Sequence, residues 1–214
     1  MADKTLLTIK QNGIHELDIK KSNFICNLRR IKDEDDAKRQ LAEITKEHAK
    51  ATHNCYAYVL GENNEIQRES DNGEPSGTAG VPILEVLKKT EVKNVLAVVT
   101  RYFGGIKLGA GGLIRAYSNS ASTAIESVGI VQLLDKKVIS LTVEYPLFDK
   151  LNYYLEENDY PLEGTEYTDK VTVKVAVDDD KVDSFLTTIT NLLADKFSSS
   201  IGETKIFEVD YHRE

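Results

Sequence analysis

Polar and apolar residues alternate along the start of the chain. Thr5–Gln11 and Ile14–Lys20 flank Asn12-Gly13, a dipeptide that predicts a two-residue hairpin turn. In Ser22–Arg30, Phe24, Cys26 and Leu28 alternate with polar residues and predict a third strand. The period then lengthens: Ala37, Leu41, Ile44 and His48 fall on one stripe of a helix that Asp33 can cap. Ala51–Leu60 and Glu65–Ser70 read as strands on either side of a turn at Glu62-Asn63-Asn64. The segment Asp71–Gly77 stacks turn formers and predicts no regular structure. A helix follows from about Gly80, with Pro82 in its first turn and Ile83, Leu84 and Leu87 as its buried face.

Val95–Thr100 is an apolar run that predicts a strand buried on both faces. It leads through the loop Arg101–Gly112 into a long helix with Leu113, Tyr117, Ala121, Ala124 and Val128 inward. After Leu134-Asp135 the pattern restarts. Strands are expected at Lys137–Glu144, Leu162–Tyr167, Lys170–Val177 and Lys205–Tyr211. Helices carry Leu147, Phe148, Leu151 and Leu155, and then Val182, Phe185, Leu186, Ile189 and Leu193. The order βαββαβ is that of a ferredoxin-like domain. An α+β protein is expected, with a βαβ-containing domain over residues 1–134 and a ferredoxin-like domain over 136–214.

Charge divides the chain at the same place. Up to Asp135 it holds 18 basic and 18 acidic residues; the remainder holds 9 and 17, so the net charge of −8 lies in the second part. This balance argues against a general nucleic-acid binder but leaves a local anion site open in the neutral first part. The run Val95–Val99 is far short of the roughly 20 apolar residues of a membrane helix. Met1–Thr5 shows no apolar leader segment, so a cytoplasmic protein with no membrane association is expected. Cys26 and Cys55 are too few for a disulfide framework and read as small buried hydrophobes.

Candidate chemistry follows the glycines. Eight of the 13 lie between Gly73 and Gly112, and five fall within Gly104–Gly112, between a buried strand and a helix. Glycines such as Gly104, Gly105, Gly109 and Gly111 let backbone amides face a ligand, and a helix N-terminus adds partial positive charge. Arg101, Lys107 and Arg115 flank them as full charges. An anion cradle for phosphate is the expectation; a strand-to-helix turn that merely packs closely is the plain alternative. The segment is neither a Walker A loop nor a dinucleotide fingerprint, since Ile114 holds that fingerprint's last position. The second polar loop, Ser70–Gly80, offers Asp71, Glu74, Ser76 and Thr78 for a general-base or metal site, although Asp71 and Ser76 are also turn and capping types. His53 and Cys55 share one side of a strand, but no further His or Cys pair completes a tetrahedral set, so neither metal nor cofactor is expected. Tyr56, Tyr58, Tyr102 and Phe103 read individually as core-packing aromatics, and would stack on bases if exposed.

Three segments are distinctive: Ala51–Tyr58 (ATHNCYAY), Glu69–Gly80 (ESDNGEPSGTAG) and Thr100–Tyr117 (TRYFGGIKLGAGGLIRAY). They resemble the IMPACT-like domain of the IMPACT/YigZ family, over roughly Ile19–Gly129. The tail is similar to the second domain of the bacterial members. The resemblance implies an N-terminal fold shared with ribosomal proteins and the fourth domain of elongation factor G, including a left-handed βαβ crossover. It implies a C-terminal domain similar to that factor's fifth. Eukaryotic relatives are linked to control of translation initiation through a partner of an eIF-two kinase, and bacterial members have been suspected of binding nucleic acid. The expected function is therefore a non-enzymatic regulator of translation or stress response. It would bind RNA or a ribosome-associated partner through the glycine-rich cleft, with His53 near by. Two alternatives remain open: an enzyme acting on a small phosphate- or carboxylate-bearing substrate with Asp71 or Glu74 as base or metal ligand, and a protein-interaction module.

Overall fold

In the computed structural model, which describes residues 6–212, the apolar run at Val95 becomes the middle of a five-stranded sheet. The chain divides into two units, residues 1–132 with 210–214, and residues 133–209. In the first unit the elements are β1 (Leu6–Ile9), β2 (Gly13–Ile19), β3 (Ser22–Arg30), α1 (Glu34–Glu47), β4 (His53–Leu60), β5 (Ile66–Ser70), α2 (Gly80–Lys89), β6 (Val95–Tyr102) and α3 (Ala110–Val128). The sheet order is β2-β3-β6-β4-β5, and every neighbouring pair is antiparallel.

Helices cover both faces of this sheet. Val95, Ala97 and Val99 of β6 pack with Ile83 and Leu87 of α2 and with Leu113 and Tyr117 of α3. Leu96 and Val98, pointing the other way, pack with Ala37 and Ile44 of α1. This double covering, rather than parallel pairing, makes β6 an unbroken apolar run. Each fully buried Val or Leu there contributes about 1.5–3 kcal/mol. Asp33 caps α1 by accepting from Asp36 N at 2.8 Å, with Glu34, Asp35 and Asp36 in the first turn.

One expectation is overturned. Asn12-Gly13 does not close a hairpin between the first two strands; β2 pairs with β3 instead. The turn between them is Lys20-Lys21, flanked by the partners Ile19 and Ser22, and both lysines have positive φ, 47° and 66°. Positive φ at both central residues is the mark of a type I′ turn, which matches the strand twist. Lysine gives no sequence sign of it, because a non-glycine residue enters this region at a cost of about 1–2 kcal/mol. β1 goes elsewhere: the amide of Lys10 donates to Gly129 O at 2.9 Å, and Leu7 forms a parallel bridge with Val92. Thr5, expected in the first strand, lies outside the described residues.

The remaining elements are β7 (Ile130–Val143), α4 (Tyr145–Glu157), β8 (Leu162–Tyr167), β9 (Val171–Val177), a 3-10 turn at Asp179–Lys181, α5 (Val182–Leu193) and β10 (Ser198–Tyr211). They run in the order βαββαβ, with β7 between β9 and β10 and β8 outside β9. Ile139, Leu141 and Val143 of β7 and Val171, Val173 and Val175 of β9 share one face, packed by Leu151 and Leu155 of α4 and by Phe185 and Ile189 of α5. β10 begins seven residues before the alternation does. Ser198–Thr204 is exposed throughout, so no buried face imposes a period of two on it.

Candidate functional site

Two loops of the first unit, the one after β5 and the one after β6, meet around a cleft of about 420 Å3. That size suits a small ligand or one nucleotide unit. Glu74 and Pro75 line it from the first loop, Arg101 from the end of β6, and Phe103, Lys107, Leu108 and Gly109 from the second loop. Thr52 and His53, at the start of β4, and Ala110 and Leu113 of α3 complete the wall. The sheet brings the sides together, because His53 is the register partner of Arg101 across β4 and β6.

At its base lies a buried polar network. Oε1 of Glu74 accepts from Arg101 Nη1 at 2.6 Å and from the Tyr117 hydroxyl at 2.8 Å. Arg101 is only 5% exposed; its Nη2 donates to Ser22 Oγ at 3.3 Å, and its guanidinium lies between the rings of Phe24 and Phe103, 5.3 and 5.4 Å from their centroids. Among the described residues its Nε has no partner. Nδ1 of His53 lies 2.8 Å from the carbonyl oxygen of Asn72, which only accepts, so Nδ1 carries a proton. Nε2 is thereby turned toward Glu74 Oε2, 3.9 Å away. Cys55 Sγ sits 2.9 Å from Asp71 O and 3.3 Å from the Tyr117 hydroxyl. Burial pushes the Cys55 thiol up to about 12 and raises Tyr117 well above the ordinary tyrosine value, so both keep their protons at neutral pH. Cys55 is therefore a poor nucleophile. Among the described residues no three His, Cys, Asp or Glu side chains are grouped as a metal ion would need.

The opposite wall is the start of α3. Leu113 N donates to Gly109 O at 2.9 Å, the first bond inside the helix, so the amides of residues 110–112 have no intrahelical acceptor. Neither a side-chain cap nor an acidic residue in the first turn satisfies them. Gly109 takes φ of 72°, which favours glycine, and a Cβ there would meet nothing within 4 Å. Gly104 is glycine for another reason: its Cβ would fall 1.8 Å from Lys21 O. The tight approach is therefore to the Lys20-Lys21 turn and not to a ligand.

The sequence candidates thus separate. His53, Glu74, Arg101, Lys107 and Gly109 line the cleft. Gly105 lies on the same loop, and Gly111 and Arg115 on the first two turns of α3, with Arg115 Nη1 3.8 Å from the position of a Cβ on Gly111. Arg101 differs from the free flanking charge expected, because burial beside Glu74 neutralises it. Asp71 works within the fold. Its Oδ1 accepts from Ala79 N and Gly80 N, both at 2.9 Å, and its Oδ2 from Gly77 N at 2.7 Å, which caps α2 from across the loop. Burial pushes its carboxyl up, but the amides of Gly77, Gly80, Ala79 and Thr78 more than offset this and hold it below the usual carboxylate range. Thr78 is buried and bonded to Pro75 O, and Ser76 is exposed away from the cleft wall. Of the four aromatics, Phe103 is well exposed at 46%; Tyr58 is buried, and Tyr102 is held by His48 Nδ1 at 3.0 Å. Ser22, Thr52 and Tyr117 were not among the candidate site residues: Tyr117 read only as an inward residue of the long helix, and the hydroxyls of Ser22 and Thr52 carry no chemical signal of their own in the sequence.

The sequence profile of the Impact N-terminal domain matches residues 20–125, which contain every residue of this cleft. That of a domain of unknown function, DUF1949, matches residues 141–196. The chain is 44% identical over 201 residues to the IMPACT family member YvyE of Bacillus subtilis strain 168, covering 94% of this chain and 93% of that one. It is 35% identical over 170 residues to the IMPACT family member YigZ of Escherichia coli K12, covering 78% and 83%. A crystal structure of a protein described only as hypothetical superposes with a TM-score of 0.59 at 30% identity, covering 93% of this chain and 98% of that one. With a matched N-terminal domain that contains the whole cleft and relatives aligned along most of its length, the chain belongs to the IMPACT family.

Proposed function

We propose that this protein regulates translation by binding single-stranded RNA in the cleft between the two loops. The observation that carries the reading is the start of α3. A 19-residue helix opens on the cleft with three unsatisfied amides, no side-chain cap, and Lys107 beside them. Such a terminus favours a phosphate. The half-exposed Phe103 ring on the same wall supplies a face for a base, which is how sequence-tolerant RNA binding commonly works. The link to translation rests on family membership and the role associated with the eukaryotic relatives. No helix among the described residues is long and apolar enough to cross a membrane. The test is fluorescence anisotropy of a labelled single-stranded RNA against the full chain and its Phe103→Ala and Lys107→Ala variants. Each substitution is expected to weaken binding several-fold, and equal affinity for all three proteins defeats the reading.

A second reading, an enzyme on a small phosphate ester, is favoured by one feature. Nε2 of His53 faces the cleft beside Glu74 Oε2 with its tautomer set by Asn72. Turnover of phosphate esters that disappears in His53→Gln, while RNA affinity stays unchanged, would select it.

A further inference from the structure

We propose that the Lys20-Lys21 turn is a second phosphate-binding point, so that the ligand is a polynucleotide strand running over the rim of the cleft rather than a mononucleotide inside it. The inference rests on the cleft reading above and extends it. The turn abuts the glycine-rich loop: a Cβ on Gly104 would lie 1.8 Å from Lys21 O and 2.7 Å from Lys21 Cβ. Ser22, the next residue, ties the turn to the cleft base by accepting from Arg101 Nη2 and from Gly104 N, both at 3.3 Å.

Charge singles out this rim. Lys20, Lys21, Lys107 and Arg115 are all exposed, and none has an ion-pair or hydrogen-bond partner among the described residues. The carboxylates that share the hairpin, Glu16 and Asp18, are engaged by the Asn23 amide. Four unpaired cations therefore border one loop of a chain whose net charge is −8. The residues chosen at the turn fit the same purpose. A type I′ turn is most stable as Asn-Gly, yet here both central positions, at φ 47° and 66°, are lysine. The conformation alone gives no reason for lysine; two ammonium groups beside the loop do. Lys21 lies against Gly104, Lys107 lines the cleft and Arg115 stands beside Gly111 in the opening turns of α3, and a strand with a phosphate at each nucleotide can meet all of them. The exposed Phe103 ring requires unpaired bases, which commits the ligand to a single strand.

The experiment uses the full chain, a fluorescein-labelled uridine decamer, a labelled uridine dinucleotide, and a duplex of the decamer. Titrations run at two salt concentrations on the unaltered protein, Lys107→Ala, a Lys20→Asn/Lys21→Gly double variant, and a Lys20→Gln/Lys21→Gln double variant. The Asn-Gly variant removes both charges while improving the turn. It is expected to melt at a higher temperature and to bind the decamer roughly tenfold more weakly. Its slope of log affinity against log salt should be shallower by about 1.4, two phosphates' worth for a single strand. The Gln pair should lose decamer affinity to the same degree, and dinucleotide binding should be unchanged in both. Decamer affinity and slope unchanged in both double variants, with binding still weakened in Lys107→Ala, overturn the turn proposal and leave the cleft reading standing. Duplex binding as tight as that of the single strand also overturns it. No binding by the unaltered chain overturns the cleft reading and this proposal together.

Discussion

The two loops that form the cleft are both polar and glycine-rich, and they use those properties in opposite ways. In the loop after β5, polar atoms turn inward. Asp71 spends its carboxylate on three backbone amides, Thr78 bonds Pro75 O, and Glu74 is closed off by Arg101 and Tyr117. In the loop after β6 and the first turns of α3, the opening amides of the helix, Lys107 and Arg115 have no protein partners among the described residues. The first loop is a brace and the second is a surface. Polar composition does not distinguish them; the destination of each donor and acceptor does.

The largest effects are expected in the brace. Arg101→Ala leaves the Glu74 carboxylate buried without its counter-ion and is expected to cost about 3–5 kcal/mol, read as a drop in the denaturant midpoint. A loss below about 1 kcal/mol would mean that Glu74 is not held as described. Asp71→Ala should cost about 1–3 kcal/mol by uncapping α2. Its effect should depend on pH in a set direction. The folded carboxyl is depressed below its unfolded value of about 3.9, so its contribution is complete above that pH and disappears as pH falls through the folded value. Acid titration of stability should therefore show the two proteins converging at low pH; a gap that persists there would contradict the assignment.

The surface loop should respond in the other sense. Lys107→Ala is expected to change stability by no more than about 0.5 kcal/mol while weakening RNA binding about tenfold. Calorimetry alongside anisotropy separates these, and a large loss of stability would place Lys107 in the brace. Gly111 is a helical glycine whose Cβ would meet only Arg115 Nη1, at an ordinary contact distance of 3.8 Å. Gly111→Ala should stabilise by up to about 1 kcal/mol through helix propensity and still weaken binding. Stabilisation with unchanged affinity would show that no ligand approaches this backbone.

Most of the elements were legible because their cause is local. The α1 stripe with its Asp33 cap, the alternating valines of β9 and the apolar β6 each state their burial in residue order. The hairpin was not legible. Asn12-Gly13 carries the stronger turn propensity, but β1 is drawn to Gly129 and Val92, and the pairing of β2 with β3 forces the turn onto two lysines. At the site, the glycine-rich loop and its flanking cations were visible as residue types. Their division into structural and free groups was not. Arg101 and Lys107 are equally cationic in the sequence, and only the position of Glu74, 27 residues from Arg101, neutralises one and spares the other.

What the sequence determined by itself is what depends on neighbours within a turn or a strand: the kinds of elements, their order, the family, and the concentration of glycine between β6 and α3. What the tertiary structure decided is which polar groups are satisfied. That depends on contacts between residues far apart in the chain, such as Gly104 against Lys21, Asp71 under the start of α2, and Tyr117 on Glu74. A buried hydrogen bond or ion pair forms wherever packing brings its partners within about 3 Å, and no spacing along the sequence encodes that distance.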